Sequence, residues 1–249
     1  MEKIIITENL IQYQFPPCPQ QHFGYNVFAV FDGKRALLID TGYQEHAALV
    51  HEDLSANGIA PEKVIISHFH DDHFDGLRVF QNLQVFGSKS HQITLDLYTP
   101  EEDHKLFKPT DIVTDETTFQ YGDFHIRFHV IPGHAICGLY TIINDKYIHI
   151  GDDIVQSNED FPLLPTTESH RIPEFINALE TLKMYKNHTL LLAHGNPMTG
   201  ESNILNAITN SQSYLKTVNQ SPTRIPYEKA VEECSCDFLH KEWHEFFYE

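Results

Sequence analysis

The chain has 249 residues, 41% of them hydrophobic, which is enough for one large domain or two small ones with a substantial core. Its net charge of −18, from 17 basic and 35 acidic residues, disfavours a long nucleic acid as a partner, because phosphate backbones are bound by Lys and Arg surfaces. The apolar run at residues 4–6 is too short for a signal peptide, and no later segment approaches membrane-spanning length. The four cysteines show no disulfide framework. These features predict a cytoplasmic protein without a membrane partner.

Apolar periodicity and turn residues predict alternating strands and helices along most of the chain. The predicted elements are a strand at residues 1–13, a hairpin at 26–31 and 36–39, a helix at 44–57, a strand at 64–66, a helix at 75–80, a strand at 85–86, a strand at 124–130, a hairpin at 139–143 and 147–150, a helix at 173–185, a strand at 190–193 and a helix at 204–218. Residues 88–120, with breaks at Pro100 and Pro109, predict a helical excursion or a lid. Because no linker or repeat is visible, we predict one domain over residues 1–249, with a helical tail from about residue 204.

Residues 67–73 contain the pattern H-x-H-x-D-H directly after the buried strand. If the extended geometry continues to His70, the side chains of His68 and His70 share a face and can bind one ion. Asp72 and His73 then lie beyond the bend, where they can bind a second ion. The stretch predicts a metal site of unknown kind.

Five predicted strands end at an ionisable residue in or just beyond a polar or glycine-containing turn. These residues are Asp40, His68, His134, Asp152 and His194. In layered α/β domains, strand ends present side chains to a common crevice, so five such endings predict one site.

The ordered motifs resemble those of the metallo-β-lactamase-fold hydrolase superfamily, with a ligand set of the glyoxalase II and lactonase type. The matching motifs are Leu-Ile-Asp-Thr-Gly around Asp40, H-x-H-x-D-H at residues 68–73, Pro-Gly-His134, Ile-Gly-Asp152 and Ala-His194-Gly. The resemblance implies an α/β fold of the α+β kind, a four-layer αββα sandwich with metals at the open edge of its two sheets. It assigns His68, His70 and His134 to the first metal, Asp72, His73 and His194 to the second, and Asp152 to a bridge between them. Asp40 matches a residue that supports the ligands from behind.

The ligand types suit two divalent ions, zinc above all, with manganese or iron as alternatives. Two ions that share a water lower its pKa toward neutrality and supply hydroxide for attack on a carbonyl or phosphoryl centre. Asp72 is the predicted catalytic residue, which orients the nucleophile and later passes its proton on. The leading hypothesis is a binuclear hydrolase of a small ester, thioester or lactone.

Departures from known relatives narrow the substrate. The best-known β-lactamases have Cys in place of the bridging Asp, so Asp152 disfavours antibiotic hydrolysis. Homoserine-lactone lactonases share all seven ligands but have a Tyr three residues after the bridging Asp, where this chain has Val155. The alternative hypotheses are a small phosphodiesterase, a mononuclear non-heme iron oxidoreductase of the same fold, and a regulatory protein that binds a metabolite.

Other residues have a functional and a structural interpretation. Cys234, Cys236, His240 and His244 have metal-ligand types, but the last three repeat every four residues, as on one face of an ordinary helix. The Trp243, Phe246 and Phe247 stripe predicts core packing or a homodimer contact. Asp153 is predicted to face solvent. Four loop residues could contact a small-molecule substrate or be unconstrained, namely His22, Tyr43, Phe69 and His170. We expect specificity to lie in residues 14–25, 88–120 and 156–172.

Overall fold

The computed structural model describes residues 1–18, 21–221 and 223–248. Its strands are β1 (Glu2–Thr7), β2 (Leu10–Gln14), β3 (Asn26–Asp32), β4 (Arg35–Ile39), β5 (Ala60–Ile65), β6 (Gln84–Ser88), β7 (Asp111–Val113), β8 (Thr118–Tyr121), β9 (Phe124–Val130), β10 (Leu139–Ile143), β11 (Tyr147–His149) and β12 (Thr189–Leu191). Its α-helices are α1 (Gln44–Ala56), α2 (Asp71–Phe74), α3 (His91–Tyr98), α4 (His104–Phe107), α5 (Ile172–Leu182), α6 (Glu201–Gln220) and α7 (Tyr227–Ala230). Short 3-10 helices cover Asp75–Arg78, Glu101–Asp103, Ser169–Arg171, Lys183–Tyr185 and Lys241–Phe247. No helix of the described residues is long and apolar enough to cross a membrane.

The strands form two mixed sheets. One has seven strands in chain order from β1 to β7, antiparallel up to β4 and parallel from β4 to β7. The other has five strands in the order β12-β11-β10-β9-β8, with only the β11–β12 pair parallel. Parallel neighbouring strands direct their carboxyl ends to the same edge of a sheet. The polar residues that come after these strand ends therefore lie at that edge.

Three buried apolar clusters show that the molecule has four layers. The central cluster joins the two sheets and includes Phe28 and Ile39 from the first sheet and Ile126 and Phe128 from the second. The alternation of β9 places Phe124, Ile126 and Phe128 in this core while His125 faces solvent. A second cluster packs α1 and α3 on the seven-stranded sheet, and a third packs α5 and α6 on the five-stranded sheet. The αββα sandwich is as predicted.

Several predicted elements differ from the structure. The strand predicted at residues 1–13 is wrong, because residues 8 and 9 form a turn that divides it into the β1–β2 hairpin. The predicted helix at residues 75–80 is a single 3-10 turn over Asp75–Arg78. The excursion at 88–120 contains helices α3 and α4, followed by β7 and most of β8.

The tail is helical only in part. After α6 the described chain has the single turn α7 and the 3-10 helix Lys241–Phe247, with extended and turn conformations between them. The spacing of Cys236, His240 and His244 predicted that they share one face of a helix. This prediction is wrong, because these residues do not lie on one continuous helix. Phe247 is buried in the core beside α6, whereas Phe246 is 53% exposed.

Candidate metal centre

The five strand-end residues meet at one edge of the sandwich. Asp40 follows β4, His68 follows β5, His134 follows β9, Asp152 follows β11 and His194 follows β12. The strands are rigid and their backbone groups are paired, so each of these side chains is presented from a fixed base. The short helix α2 adds Asp72 and His73 to the same edge.

Three imidazoles form the first group. The Nδ1 atom of His70 lies 3.0 Å from Nε2 of His68 and 3.1 Å from Nε2 of His134. Ligand atoms at about 2.0–2.1 Å from a tetrahedral ion are separated by about 3.4 Å, so the spacing of these nitrogens is close to what one ion requires. The group could hold a metal ion.

Two carboxylates and two imidazoles form the second group. Nε2 of His194 lies 3.4 Å from Oδ2 of Asp72 and 3.4 Å from Oδ1 of Asp152. Nε2 of His73 lies 3.5 Å from Oδ1 of Asp72 and 3.4 Å from Oδ1 of Asp152. The four ligand atoms lie within 4.8 Å of one another and could hold a second ion.

Asp152 lies between the two groups. Its Oδ1 atom faces the second group, while its Oδ2 atom lies 4.0 Å from Nε2 of His68 and 3.8 Å from Nε2 of His134. One carboxylate can therefore offer an oxygen to each of two ions.

The outer nitrogens of the imidazoles are held by acceptors of the protein. Nδ1–H of His134 donates to the carbonyl oxygen of Thr166 at 2.6 Å, and Nδ1–H of His194 donates to that of Gly24 at 2.8 Å. Since a carbonyl oxygen only accepts, these bonds fix the tautomer of each ring in its neutral form and then leave its Nε2 atom with a lone pair. That lone pair is directed at the candidate ligand atoms of the neighbouring residues.

Asp40 supports the motif from below. It is buried, and its carboxylate accepts hydrogen bonds from the backbone N–H and the hydroxyl of Ser67, both at 2.7 Å, and from Nδ1–H of His73 at 2.8 Å. Its backbone has a φ of +56°, a left-handed conformation that Asp tolerates better than most residues. The carboxylate therefore fixes the start of the H-x-H-x-D-H turn and orients His73 through its outer nitrogen.

The polar atoms left without partners favour bound cations. Nε2 of His73 and Oδ1 of Asp152 are buried, have no hydrogen-bond partner and face each other. Buried polar atoms are seldom unpaired in native proteins, so this pair is accounted for if both are metal ligands. Imidazole and carboxylate donors fit zinc, manganese or iron. The residues thus fit two divalent ions.

The two groups differ in charge. Burial lowers the pKa of His68 well below its usual range and that of His70 to about 3, so both rings are neutral at pH 7, the state that binds metal. Burial alone would also lower the pKa of His194, but Asp152 and Asp72 outweigh it and raise the pKa to about 10. Burial would raise the pKa of Asp72, yet His73 and His194 bring it down to about 2. Carboxylates in the second group are thus balanced by protonated imidazoles, and a bound cation can replace the protons of these rings.

Asp153 was predicted to face solvent, and this prediction is wrong. Its side chain is buried, accepts a hydrogen bond from the backbone N–H of His134 at 3.0 Å and another from the hydroxyl of Tyr140. Burial raises its pKa to about 6, with the two hydrogen bonds acting in the opposite direction. A Cβ at Gly133 would lie 2.5 Å from Oδ1 of Asp153, so the Pro-Gly-His turn needs its glycine. The Gly-Asp-Asp sequence at residues 151–153 was the available indication that Asp153 has a role. Its buried position could not be predicted without Tyr140 on β10.

The remaining candidates occupy different places. Phe69 is fully buried in the core, whereas Tyr43 lies beside Tyr25 near Asp72. His170 is exposed. In the tail, His244 is buried between the hydroxyl of Tyr214 and the carbonyl oxygen of Ile225. Within residues 1–18, 21–221 and 223–248, only the two groups described above bring at least three potential metal ligands together.

A pocket of about 90 Å³ opens beside the second group. Its apolar walls are the side chains of Phe23, Val155, Leu163 and Trp243. We call this space the aromatic pocket. On the other side, beside the first group, an open groove is bordered by His70, Asp71, Tyr98 and Thr166. The candidate metal ligands Asp72, His134 and Asp152 border both spaces, so a molecule bound in either can reach them.

The fold and the two groups together define an αββα protein with a candidate binuclear metal centre. The sequence model of the metallo-beta-lactamase superfamily matches residues 22–194, well over half of the chain. The chain belongs to this superfamily.

Individual relatives are distant. The lactamase-like protein notP of Aspergillus sp. (strain MF297-2) is 27% identical over 139 residues, which are 53% of this chain and 39% of that protein. The atrochrysone carboxyl ACP thioesterase of Passalora fulva is 28% identical over 131 residues, 40% of this chain and 39% of that protein. The chain thus spans about two fifths of the length of these curated relatives.

Solved structures share the fold. The metallo-beta-lactamase from Pontibacter korlensis superposes with a TM-score of 0.64 and 17% identity, over 86% of this chain and 98% of that chain. The DIM-1 metallo-beta-lactamase exposed to ceftazidime gives a TM-score of 0.65 and 15% identity, over 87% and 96%. At such identities the likeness shows the architecture alone.

Proposed function

We propose that the protein is a hydrolase that uses two divalent metal ions to cleave a small ester, thioester or lactone. The observation that supports this most strongly is the position of Asp152, whose two oxygens face the two ligand groups. Relatives named as thioesterases agree with this type of reaction. His68, His70 and His134 would hold one ion, Asp72, His73 and His194 the other, and Asp152 would contact both.

When bound, two such ions supply Lewis-acid polarisation and a water of lowered pKa. The residues of the chain would hold these ions by the geometry already described. Thr166, Gly24 and Asp40 accept hydrogen bonds from the outer nitrogens of His134, His194 and His73, so the inner nitrogens of these rings would be free to bind an ion once it displaces their protons.

Asp72 is the proposed proton carrier. Its carboxylate borders both the aromatic pocket and the open groove, so a substrate in either space can reach it. An ionised carboxylate at that position can accept a proton from the attacking water and release it to the leaving oxygen or sulfur.

The test replaces the shared carboxylate. Asp152→Asn keeps the shape of the side chain but removes its charge, so we expect less than two bound ions per chain and a loss of ester hydrolysis of about 100-fold or more. Asp145→Asn is the matched control, because Asp145 is an exposed turn residue that pairs with Arg127, away from the site. Two ions and full turnover in the Asp152 variant would contradict the proposal.

Metal analysis of protein purified without chelator separates the alternatives. Two zinc or manganese ions per chain and hydrolysis of esters support the proposal. One iron ion per chain with oxygen uptake would replace it with an oxidoreductase, and hydrolysis of phosphodiesters alone would replace it with a phosphodiesterase.

A further inference from the structure

The walls of the aromatic pocket come from three distant parts of the chain. Phe23 precedes β3, Val155 and Leu163 follow β11, and Trp243 belongs to the C-terminal 3-10 helix. All four side chains are apolar over most of their surface, and the polar lining of the pocket consists of Thr166 and four candidate metal ligands. The pocket therefore places an apolar wall opposite the reacting centre.

Stacked aromatic rings hold this wall in place. The indole of Trp243 stacks on the imidazole of His240 with ring centroids 4.3 Å apart and an angle of 13° between the planes. Phe23 meets Trp243 edge-on at 5.8 Å and His194 edge-on at 4.9 Å. Such contacts add to the stability gained by burial, so Trp243 and Phe23 form a fixed boundary next to a candidate metal ligand.

The Asp, Glu, Lys and Arg side chains that line the spaces around the site are all acidic among the described residues. The aromatic pocket, the open groove and the cleft outside Phe23 and Trp243 are lined by the carboxylates of Asp71, Asp72, Asp152 and Glu242. Among the described residues, no Lys or Arg lines any of these three spaces.

Arg171, at the end of the 3-10 helix Ser169–Arg171, does not line any of these three spaces. Its side chain is only 6% exposed and is paired with Glu168 at 3.2 Å and Glu174 at 2.8 Å. A guanidinium already engaged by two carboxylates is a poor partner for a further anion.

Phosphate and carboxylate groups of ligands are normally bound by Arg, Lys or helix N-termini, and an unpaired anion in an apolar pocket loses hydration without compensation. Two metal ions would attract the reacting oxygen, but an anionic group farther along the substrate would meet apolar walls or carboxylates. Coenzyme A, glutathione and acidic carrier proteins all present such remote anionic groups.

We propose that the substrate is an uncharged ester or lactone whose compact apolar acyl or ring portion occupies the aromatic pocket, with Trp243 as a specificity-determining residue. This inference rests on the proposed hydrolase function and narrows its substrate class. The pocket volume of about 90 Å³ is below the range of about 300–1,000 Å³ that is usual for sites of drug-sized ligands, which agrees with a compact group.

The kinetic test compares esters matched in length. With the zinc-loaded protein we expect kcat/KM for p-nitrophenyl butyrate to exceed that for mono-p-nitrophenyl succinate by about tenfold or more, because the second ester carries a remote carboxylate. The same preference is expected over butyryl-coenzyme A. Equal or faster turnover of either anionic substrate would overturn the inference while leaving the hydrolase function standing.

Variants locate the preference in the pocket. Trp243→Ala enlarges the space, so the preferred acyl chain becomes longer, and Trp243→Phe retains the original preference. Val155→Lys adds a cation to the wall and should shift the ratio of succinate to butyrate turnover upward by about tenfold. Phe246→Ala is the control, since this neighbour of Trp243 is 53% exposed and does not line the pocket. An unchanged ratio in Val155→Lys would contradict the inference, and metal content shows that each variant is folded.

A binding readout separates failure of the substrate class from failure of the function. Trp243 is the single tryptophan of the chain, so its fluorescence reports on the pocket directly. We expect methyl propyl ketone to change the emission at lower concentration than levulinate, a ketone of equal length with a carboxylate. Tighter binding of levulinate overturns the inference. Preferential binding of the neutral ketone without turnover of any ester supports the pocket but rejects hydrolysis.

Discussion

The hydroxyl of Tyr98 donates a hydrogen bond to Oε1 of Glu168 at 3.2 Å, which joins the end of α3 to the segment before α5. The ring of Tyr98 also meets His70 edge-on, with centroids 5.0 Å apart and planes at 89°. The segment at 88–120, expected from its sequence to form an excursion or lid, thus contacts both the first ligand group and the segment that precedes α5.

Removing the hydroxyl tests whether this bond holds the segment. Tyr98→Phe keeps the ring on His70, so we expect unchanged metal content. We expect amide exchange of α3 to be about two- to fivefold faster, because one partly exposed hydrogen bond contributes little free energy. Hydrogen exchange followed by mass spectrometry measures this. Tyr98→Ala, which also removes the ring, should accelerate exchange further, and equal exchange in all three proteins would show that the bond is unimportant.

Asp40 is the residue whose loss should damage the ligand groups most without removing a ligand. Asp40→Ala leaves the two donors of Ser67 and Nδ1–H of His73 unpaired in a buried place, so we expect a loss of about 3–5 kcal/mol in the free energy of unfolding. We also expect metal affinity to fall about 10- to 100-fold. Urea unfolding and competition with a chelator measure the two effects.

Asp40→Asn is the matched comparison, because Asn also tolerates a φ of +56° and can still accept one hydrogen bond. Its stability should lie between that of the Ala variant and the parent, while its metal affinity should fall because an amide N–H would oppose the N–H of His73. Parent-like affinity in both variants would mean that Asp40 does not orient His73.

Binding of metal should release protons. In protein stripped with a chelator, Asp152 and Asp72 hold the pKa of His194 at about 10, so this ring is protonated at pH 7, whereas a metal ion needs the neutral ring. Affinity should therefore rise with pH from 6 to 9 at close to one decade per pH unit for each proton released. Calorimetric titration in buffers of different ionisation enthalpy counts the protons, and a count of zero would contradict the assignment of His194.

The same shifts set the stability of the metal-free protein against pH. The folded pKa of His194 is above its ordinary value of 6.5, so its contribution is complete below that pH and is lost as pH rises through about 10. The folded pKa of Asp72 is below its ordinary value of 3.8, so its contribution is present above that pH and is lost as pH falls toward about 2. The folded pKa of His70 is about 3, below its ordinary value of 6.5, so its contribution is present above pH 6.5 and is lost as pH falls toward about 3. We therefore expect the melting temperature of stripped protein to be highest near about pH 6.5. A maximum above pH 8 would contradict this.

Asp153 and Tyr140 should act as one unit in positioning His134. Asp153→Ala leaves the backbone N–H of His134 and the hydroxyl of Tyr140 without an acceptor, at a cost of about 1–3 kcal/mol for each. Tyr140→Phe removes one donor of the pair. In a double-mutant cycle by urea unfolding, we expect a coupling of about 1 kcal/mol or more. Additive effects would mean that the hydrogen bond adds little.

The sequence was sufficient for much of the fold because the informative patterns are local. Strict alternation at Phe124–Val130 identified β9, and the spacing of Ala47, Val50 and Leu54 identified α1. The strand-end positions of Asp40, His68, His134, Asp152 and His194 indicated one site, and the structure brings these residues to one edge.

Features that depend on distant contacts could not be predicted. The role of Asp153 requires Tyr140 on β10, and the pocket wall at Trp243 requires that the C-terminal segment return to Phe23. The turn within residues 1–13 was not predicted because Glu8 and Asn9 separate two strands, each rich in apolar residues, by only two positions. The substrate class could not be predicted from the sequence for the same reason, since the pocket is built from segments with no shared motif.

The ligand groups also differ in when they can form during folding. His68 and His70 are two residues apart, so a chain without tertiary structure can already hold an ion between them, whereas His194 is oriented by Gly24, 170 residues earlier. Metal present during refolding would therefore bind first at a local chelate and be completed by His134, Asp152 and His194 only when both sheets have joined. An ion of the wrong kind captured early could still exchange in the folded protein, because the open groove borders His70, His134 and Asp152.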